Sequence, residues 1–274
     1  MSIIKTIKKN FTQISALTEL NLKLNFRYKI NLLLNFLTPF ISVLIPLFIM
    51  SSFFEIRASI GQWTLSTYYI YALTAINLFL LKGIIEEFPR QMLNEKYWKT
   101  ITALIIGPFN RFNLIFEIIL THLTFIFIPF IIFIILSYII YPISFITFIF
   151  VLLLYILIAL IFSGIGLIIS VFAISKENIW SLMLYGINFV FWFSCITYPY
   201  QIFPVLIQRY IINLNPLYYT FDILRNAWIE NDIIFTIRFH PLSFVVLVVL
   251  AVVSPCIGVF MFNKVYKKYG IVGY

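Results

Sequence analysis

Six stretches of this chain run for about twenty residues or more with few charges: about 31–54, 63–85, 112–139, 143–172, 179–198 and 242–263. A bilayer core about 30 Å thick is crossed by a helix of roughly 20 apolar residues, and each stretch reaches that length. The runs are continuously apolar rather than alternating over about ten residues, so spanning β-strands are excluded. The expected fold class is an all-α integral membrane protein with six transmembrane helices. Composition agrees: 62% of the 274 residues are hydrophobic and only 11% are charged, against roughly 45–50% and about 25% in soluble domains. Disorder requires the opposite balance, and two cysteines do not make a secreted disulfide scaffold. Pro39, Pro46, Pro129, Gly164 and Gly166 fall inside the runs, where neighbouring helices can satisfy the freed backbone groups.

The net charge of +9 would suggest acidic partners in a soluble protein. Here the cations flank the apolar runs. Counting Lys and Arg in alternate connections places fifteen on the side of both termini and four (Arg57, Arg209, Arg225 and Arg238) on the other. Positive residues accumulate on the cytoplasmic side, so both termini are expected in the cytoplasm and the chain in the cell membrane. No basic, aromatic-studded polar surface stands out, and no nucleic-acid partner is expected.

The region 199–216 is apolar enough to tempt a seventh crossing. It would bury Arg209 at roughly 2.5–3.5 kcal/mol, reverse the C-terminal lysines, and contain Pro199, Pro204 and Pro216. It reads instead as a re-entrant or interfacial segment on the outer side. Lys5, Lys8 and Lys9 imitate a signal-peptide n-region, but neither a long apolar core nor a small-residue cleavage site follows. Within 1–30, Phe11, Ile14, Leu17 and Leu20 have helical spacing, whereas Leu20, Leu22, Leu24, Phe26, Tyr28 and Ile30 alternate like a strand. A lone strand would have no partner, so an interfacial amphipathic helix is expected, with Lys23, Arg27 and Lys29 snorkelling. The remainder, 31–274, forms the transmembrane domain.

The most informative polar stretch is EEFPRQMLNEKYWKTITALIIGPFNRF (86–112). Tyr97, Trp98, Ile101, Leu104 and Ile105 recur at helical spacing while Glu95, Lys96, Lys99 and Thr100 face away. This predicts a short amphipathic helix at about 94–106, opening near Asn94 and stopped by Gly107–Pro108. Such a helix either floats at the lipid surface or docks a cytoplasmic partner. Chemistry-bearing patterns are scarce. His122 and His240 have no companion at metal spacing, and no phosphate-binding glycine loop occurs. Gly164 and Gly166 suit helix packing, and Cys195 and Cys256 lie too far apart to bridge. Lys82 and Glu86 can pair at i,i+4, and Asp222 and Arg225 can share a helical face at i,i+3. No catalytic residue, metal site or cofactor is expected in this chain.

Several patches are similar to the membrane (permease) subunit of type-2 ATP-binding-cassette exporters. FPVLIQRYIINLNPLYYTFDILRNAW resembles that family's Pro…Asn-Pro-Leu-x-Tyr…Arg pattern through Pro204, Asn215, Pro216, Leu217, Tyr219 and Arg225. IIGPFNRF (105–112) resembles its small-residue-Pro-x-x-Arg segment, and SGIGLIISVFA (163–173) its fourth helix. The resemblance implies a dimer, with a second copy or a paralogous permease, and a separate cytoplasmic ATP-binding subunit that carries ATP and Mg. Tyr97, Trp98, Lys99, Ile101 and Leu104 would couple to that subunit. Pro204, Asn215, Pro216, Tyr219, Asp222 and Arg225 would form the outer re-entrant gate. The substrate would be a lipid-linked glycan or another amphipathic molecule, moved out of the cytoplasm. The loop RQMLNEKYWKTI lacks the Gly-Thr-Leu-Glu run of drug-type members, and NLLLNFLTPF lacks the Leu-Gly-x-x-Trp of polysaccharide members. The substrate class therefore stays open within the family. The alternative is a stand-alone secondary transporter or channel without an ATPase.

Overall fold

A backbone without water must pair its own N–H and C=O groups, and within a single apolar segment only the helix does so. A computed structural model of the protein describes residues 3–27, 29–98, 111–175 and 177–271. These form helices joined by short connections. No strand occurs among the described residues, and a single isolated bridge links Ile60 and Trp63. In chain order the helices are α1 (Ile3–Arg27), α2 (Lys29–Ile56), α3 (Leu65–Tyr97), α4 (Arg111–Ile140), α5 (Phe145–Ser175), α6 (Glu177–Trp192), α7 (Pro216–Glu230), α8 (Ile233–Phe239) and α9 (Pro241–Ile271). Short helical turns fill 200–212 between α6 and α7.

Five helices among the described residues are long and apolar enough to cross a membrane: α2, α3, α4, α5 and α9. The chain is thus an all-α, multi-pass membrane protein. The sixth expected span, 179–198, is shorter than the sequence suggests. Helix α6 has 16 residues, about 24 Å at 1.5 Å per residue, and the chain leaves it at Phe193. Beyond that point Cys195 takes a left-handed φ of 55°, which no continuing helix accommodates.

Local chemistry sets the other boundaries. Thr64 and Thr67 form a reciprocal capping box at the start of α3. Asn215 caps α7 through the Leu217 N–H, with Pro216 in the first turn. Asn231, at φ 49°, ends α7, and its side chain also accepts from the Ser144 N–H at 2.6 Å. Asp232 then caps α8 through the N–H groups of Ile234 and Phe235.

Helix α3 is the axis of the bundle. Within their apolar windows 72% of α3 is buried, against 17% of α2 and 22% each of α4 and α9. Its heaviest contacts are with α5 and α4, and α5 in turn packs most extensively on α9. The α5–α9 crossing is close because both sides carry glycine. A Cβ on Gly164 would lie 2.3 Å from the Ser254 carbonyl carbon, and one on Gly258 2.9 Å from the Gly164 oxygen. Close backbone approach at small residues is the usual device of helix pairs in lipid, where apolar side chains gain little from leaving the hydrocarbon. A Cβ on Gly166 would lie 2.9 Å from the Phe88 ring and 3.2 Å from Ile84 O of α3, so both glycines of the sequence pair serve helix crossings.

Residues 11–27 are helical, and the polar residues explain why the alternation fails. Asn10, Gln13 and Asn21 fall on one helical face against α4. Asn21 donates to Glu117 Oε1 at 2.6 Å, and Asn113 donates to Gln13 at 2.7 Å. Glu117 is fully buried and also accepts from Gln91 at 3.0 Å and Thr121 at 2.8 Å. A buried carboxylate requires such donors, and here they fasten α1 to α3 and α4.

Gly164→Val should cost about 1–3 kcal/mol or more through overpacking, whereas Gly186→Val, whose Cβ would meet nothing within 4 Å, should be near neutral. Melting temperatures of the two variants in detergent check this; equal values would mean that the α5–α9 crossing is looser than described.

Candidate functional site

The chain that leaves α6 exposes four consecutive carbonyls, and side chains from α3 and α7 take all of them. Arg225, buried on α7, donates from Nη1 to Cys195 O at 2.8 Å and from Nη2 to Ile196 O at 2.7 Å. Its guanidinium carbon lies 3.6 Å from the centre of the Tyr71 ring. Tyr71 Oη donates toward Cys195 O and Tyr198 O, and Tyr68 Oη donates to Thr197 O at 2.9 Å. The flat, forked guanidinium suits two neighbouring carbonyls and a ring face together, which an ammonium cannot match. Arg225 is therefore a clamp that holds 195–198 on the bundle.

Asp222 and Arg225 do share a face of α7, yet no ion pair joins them among the described residues. Asp222 turns instead to His240 Nδ1 at 3.9 Å and accepts from Ser243 Oγ at 3.3 Å. Burial raises the Asp222 carboxyl above the usual carboxylate range, against the pull of His240 and Arg225. On its other side His240 Nε2 lies 2.9 Å from Glu230 Oε1, and Asn226, beside it, accepts from Gln62 at 3.0 Å. From the sequence His240 looks solitary. The reversal of the chain at Asn231–Asp232 and Pro241 brings it back beside two carboxylates of α7. No three His, Cys, Asp or Glu side chains among the described residues are placed to hold a metal ion.

Residues 199–216 leave this region and return to it. Asn215 Nδ2 donates to Val190 O at 2.7 Å, which joins the start of α7 to the end of α6. Tyr200 and Tyr218 stack at 5.4 Å, and Tyr219 donates to Asn213 O at 2.8 Å. Pro204 opens the short helical run, in which Gln208 donates back to Tyr200 O and Phe203 O. Pro204, Asn215, Pro216 and Tyr219 thus belong to one closed excursion, and Arg225 and Asp222 lie at its root.

The clamped stretch forms one wall of a cavity of about 980 Å³ that runs along α3 between α2 and α6. Ile196, Thr197, Tyr198 and Phe203 line one end, and Lys82, Glu86, Glu87 and Arg90 the other. Lys82 Nζ pairs with Glu86 at 3.1 Å, as its spacing predicts, and sits 5.6 Å over the Phe191 ring. Arg90 pairs with Glu87. These ionisable groups are visible in the sequence but the groove is not, because its walls come from helices more than a hundred residues apart. His122 also borders it, with Nε2 at 3.0 Å from Leu80 O. Facing a carbonyl, that nitrogen carries the proton, and the ring fills the notch left by Gly83.

The amphipathic helix expected at 94–106 falls only partly on described residues. Residues 94–97 continue α3, and Trp98 caps it through Asn94 O. Tyr97 and Trp98 are 60% and 61% exposed, while Lys96 Nζ donates to Ile174 O at 3.1 Å. Lys99, Ile101 and Leu104, with most of the 105–112 patch, lie outside the described residues. Comparison with protein-family models and with curated proteins finds no match to the chain. Fold and groove define a multi-pass, all-α membrane protein with an internal amphipathic cleft.

Arg225→Ala should destabilise the protein by about 1–3 kcal/mol, since it strands the buried Ile196 carbonyl while Cys195 O keeps Tyr71 Oη. Arg225→Lys should recover less than half of that loss. Melting curves of the two variants in detergent decide it; a lysine variant as stable as the parent would show that a single charge, rather than the fork, is what the site needs.

Proposed function

We propose that the chain is the membrane subunit of a type-2 ATP-binding-cassette exporter, moving an amphipathic substrate outward on energy supplied by a separate ATPase subunit. The observation that carries this reading is the groove along α3, with ion pairs at one end and Tyr198 and Phe203 toward the other. A path of that polarity suits a molecule with a polar head and an apolar body. The sequence patches at 105–112, 163–173 and 204–225 supply the family. On this reading α6, extended by 193–198, is the sixth crossing, α1 lies at the cytoplasmic interface, and the excursion 199–216 closes the outer mouth.

Tyr97 and Trp98 then mark the start of the coupling surface. Exposed aromatics of this kind concentrate binding energy at interfaces. Transport follows from differential contact: the ATPase binds two states of the membrane dimer unequally, and ATP shifts the balance between them. This chain's part is to bind, enclose and release.

Co-purification of the protein with an ATP-binding subunit tests the reading. Trp98→Ala should weaken that association by about 2 kcal/mol, roughly thirty-fold, and abolish ATP-dependent export. Transport that persists without an ATPase, indifferent to Trp98→Ala, would favour a stand-alone secondary transporter instead.

A further inference from the structure

The groove's charges set what can lie in it. Its described charged side chains are Lys82, Glu86, Glu87 and Arg90, all on about two turns of α3. Each cation is answered by its own carboxylate: Lys82 by Glu86 at 3.1 Å and Arg90 by Glu87. Lys82 and Glu87 have little exposure, 14% and 11% of their side chains, whereas their partners Glu86 and Arg90 are half exposed, at 52% and 51%. One member of each pair is thus withdrawn from solvent, and opening the pair leaves that buried charge uncompensated. An anionic head entering here gains no free cation, and a cationic head gains no free carboxylate. The wall also offers uncharged donors and acceptors: Asn35 and Thr38 from α2 and Asn188 from α6.

We propose that the groove takes an amphiphile whose head is net neutral, either zwitterionic or uncharged and rich in hydroxyls, with its apolar part against the aromatic end. The inference rests on the groove being the substrate path and narrows the substrate class of that path. It sets aside heads that carry a bare phosphate or pyrophosphate. Selection comes from compensation: two cations and two carboxylates along one helix attract neither sign at long range, yet they and the amides hydrogen-bond a polar neutral head.

The test is equilibrium binding to the purified full chain in a non-ionic polyoxyethylene detergent. The probes are dye-labelled amphiphiles with one common tail and phosphocholine, glucosyl or phosphoglycerol heads. The unmodified protein should bind the phosphocholine or glucosyl probe roughly ten-fold more tightly than the phosphoglycerol probe, and the two neutral arms tell zwitterion from sugar. Glu86→Gln with Glu87→Gln frees both cations and should reverse the preference toward phosphoglycerol. Lys82→Gln with Arg90→Gln should instead favour a trimethylammonium head, and it serves should the first pair fail to fold. A parent protein that prefers phosphoglycerol, or a preference that neither double variant moves, overturns the proposal. Binding of no probe at all removes the groove as a ligand path and takes both readings with it. Loss of the ATPase partner with the head preference intact would remove the exporter reading alone.

Discussion

Four carbonyls at the end of α6 are the constraint on which the functional half of this molecule depends. A helix that stops short of the membrane's thickness leaves acceptors without partners, and unmet acceptors at that depth are costly. Arg225 and the phenols of Tyr68 and Tyr71 meet all four. Because these donors sit on α3 and α7, satisfying the carbonyls also fixes where the chain turns, where α7 stands and where the groove ends. The left-handed Cys195 is a local strain that this network sustains. With the turn held, Asn215 can reach Val190 and the excursion 199–216 closes on itself.

The same logic runs through the rest of the bundle with different residues. In lipid, apolar contact alone distinguishes helix partners weakly, so position is set by glycine contacts and by polar bonds. Gly164 and Gly258 set the α5–α9 crossing. Glu117 gathers Asn21, Gln91 and Thr121 and so places α1. The groove is what these placements leave open between α2 and α6. In the proposed exporter it is the substrate path, and any motion there must work against the clamp at one end.

Five of the six expected spans were legible because a long apolar run can satisfy its backbone only as a helix, whatever its neighbours do. The end of α6 was not, since its apolar run continues to Tyr198 while the side chains that stop it lie about 30 residues ahead on α7 and more than a hundred behind on α3. Residues 11–30 were ambiguous by periodicity because apolar spacing there fits both forms. The deciding signal was polar, in Asn10, Gln13 and Asn21, and their partners at 113 and 117 lie about a hundred residues away. Asp222 and Arg225 were readable as neighbours on one face, but not as groups serving two different networks. His240 showed no partner because its carboxylates reach it only after the reversal at 231–241.

The proposed exporter requires the chain to turn back at 195–198 and not to cross again before α9. Single cysteines at Leu206, Ile234, Lys9 and Lys264, in a background with Cys195 and Cys256 replaced by alanine, test it with a membrane-impermeant maleimide on intact cells. Leu206→Cys and Ile234→Cys should label from outside, and Lys9→Cys and Lys264→Cys only after permeabilisation. Labelling of Lys264→Cys in intact cells while Lys9→Cys stays protected would mean an odd number of crossings, with either 199–216 crossing as well or α6 not crossing, and 195–198 would then not be the outer turn of a sixth span.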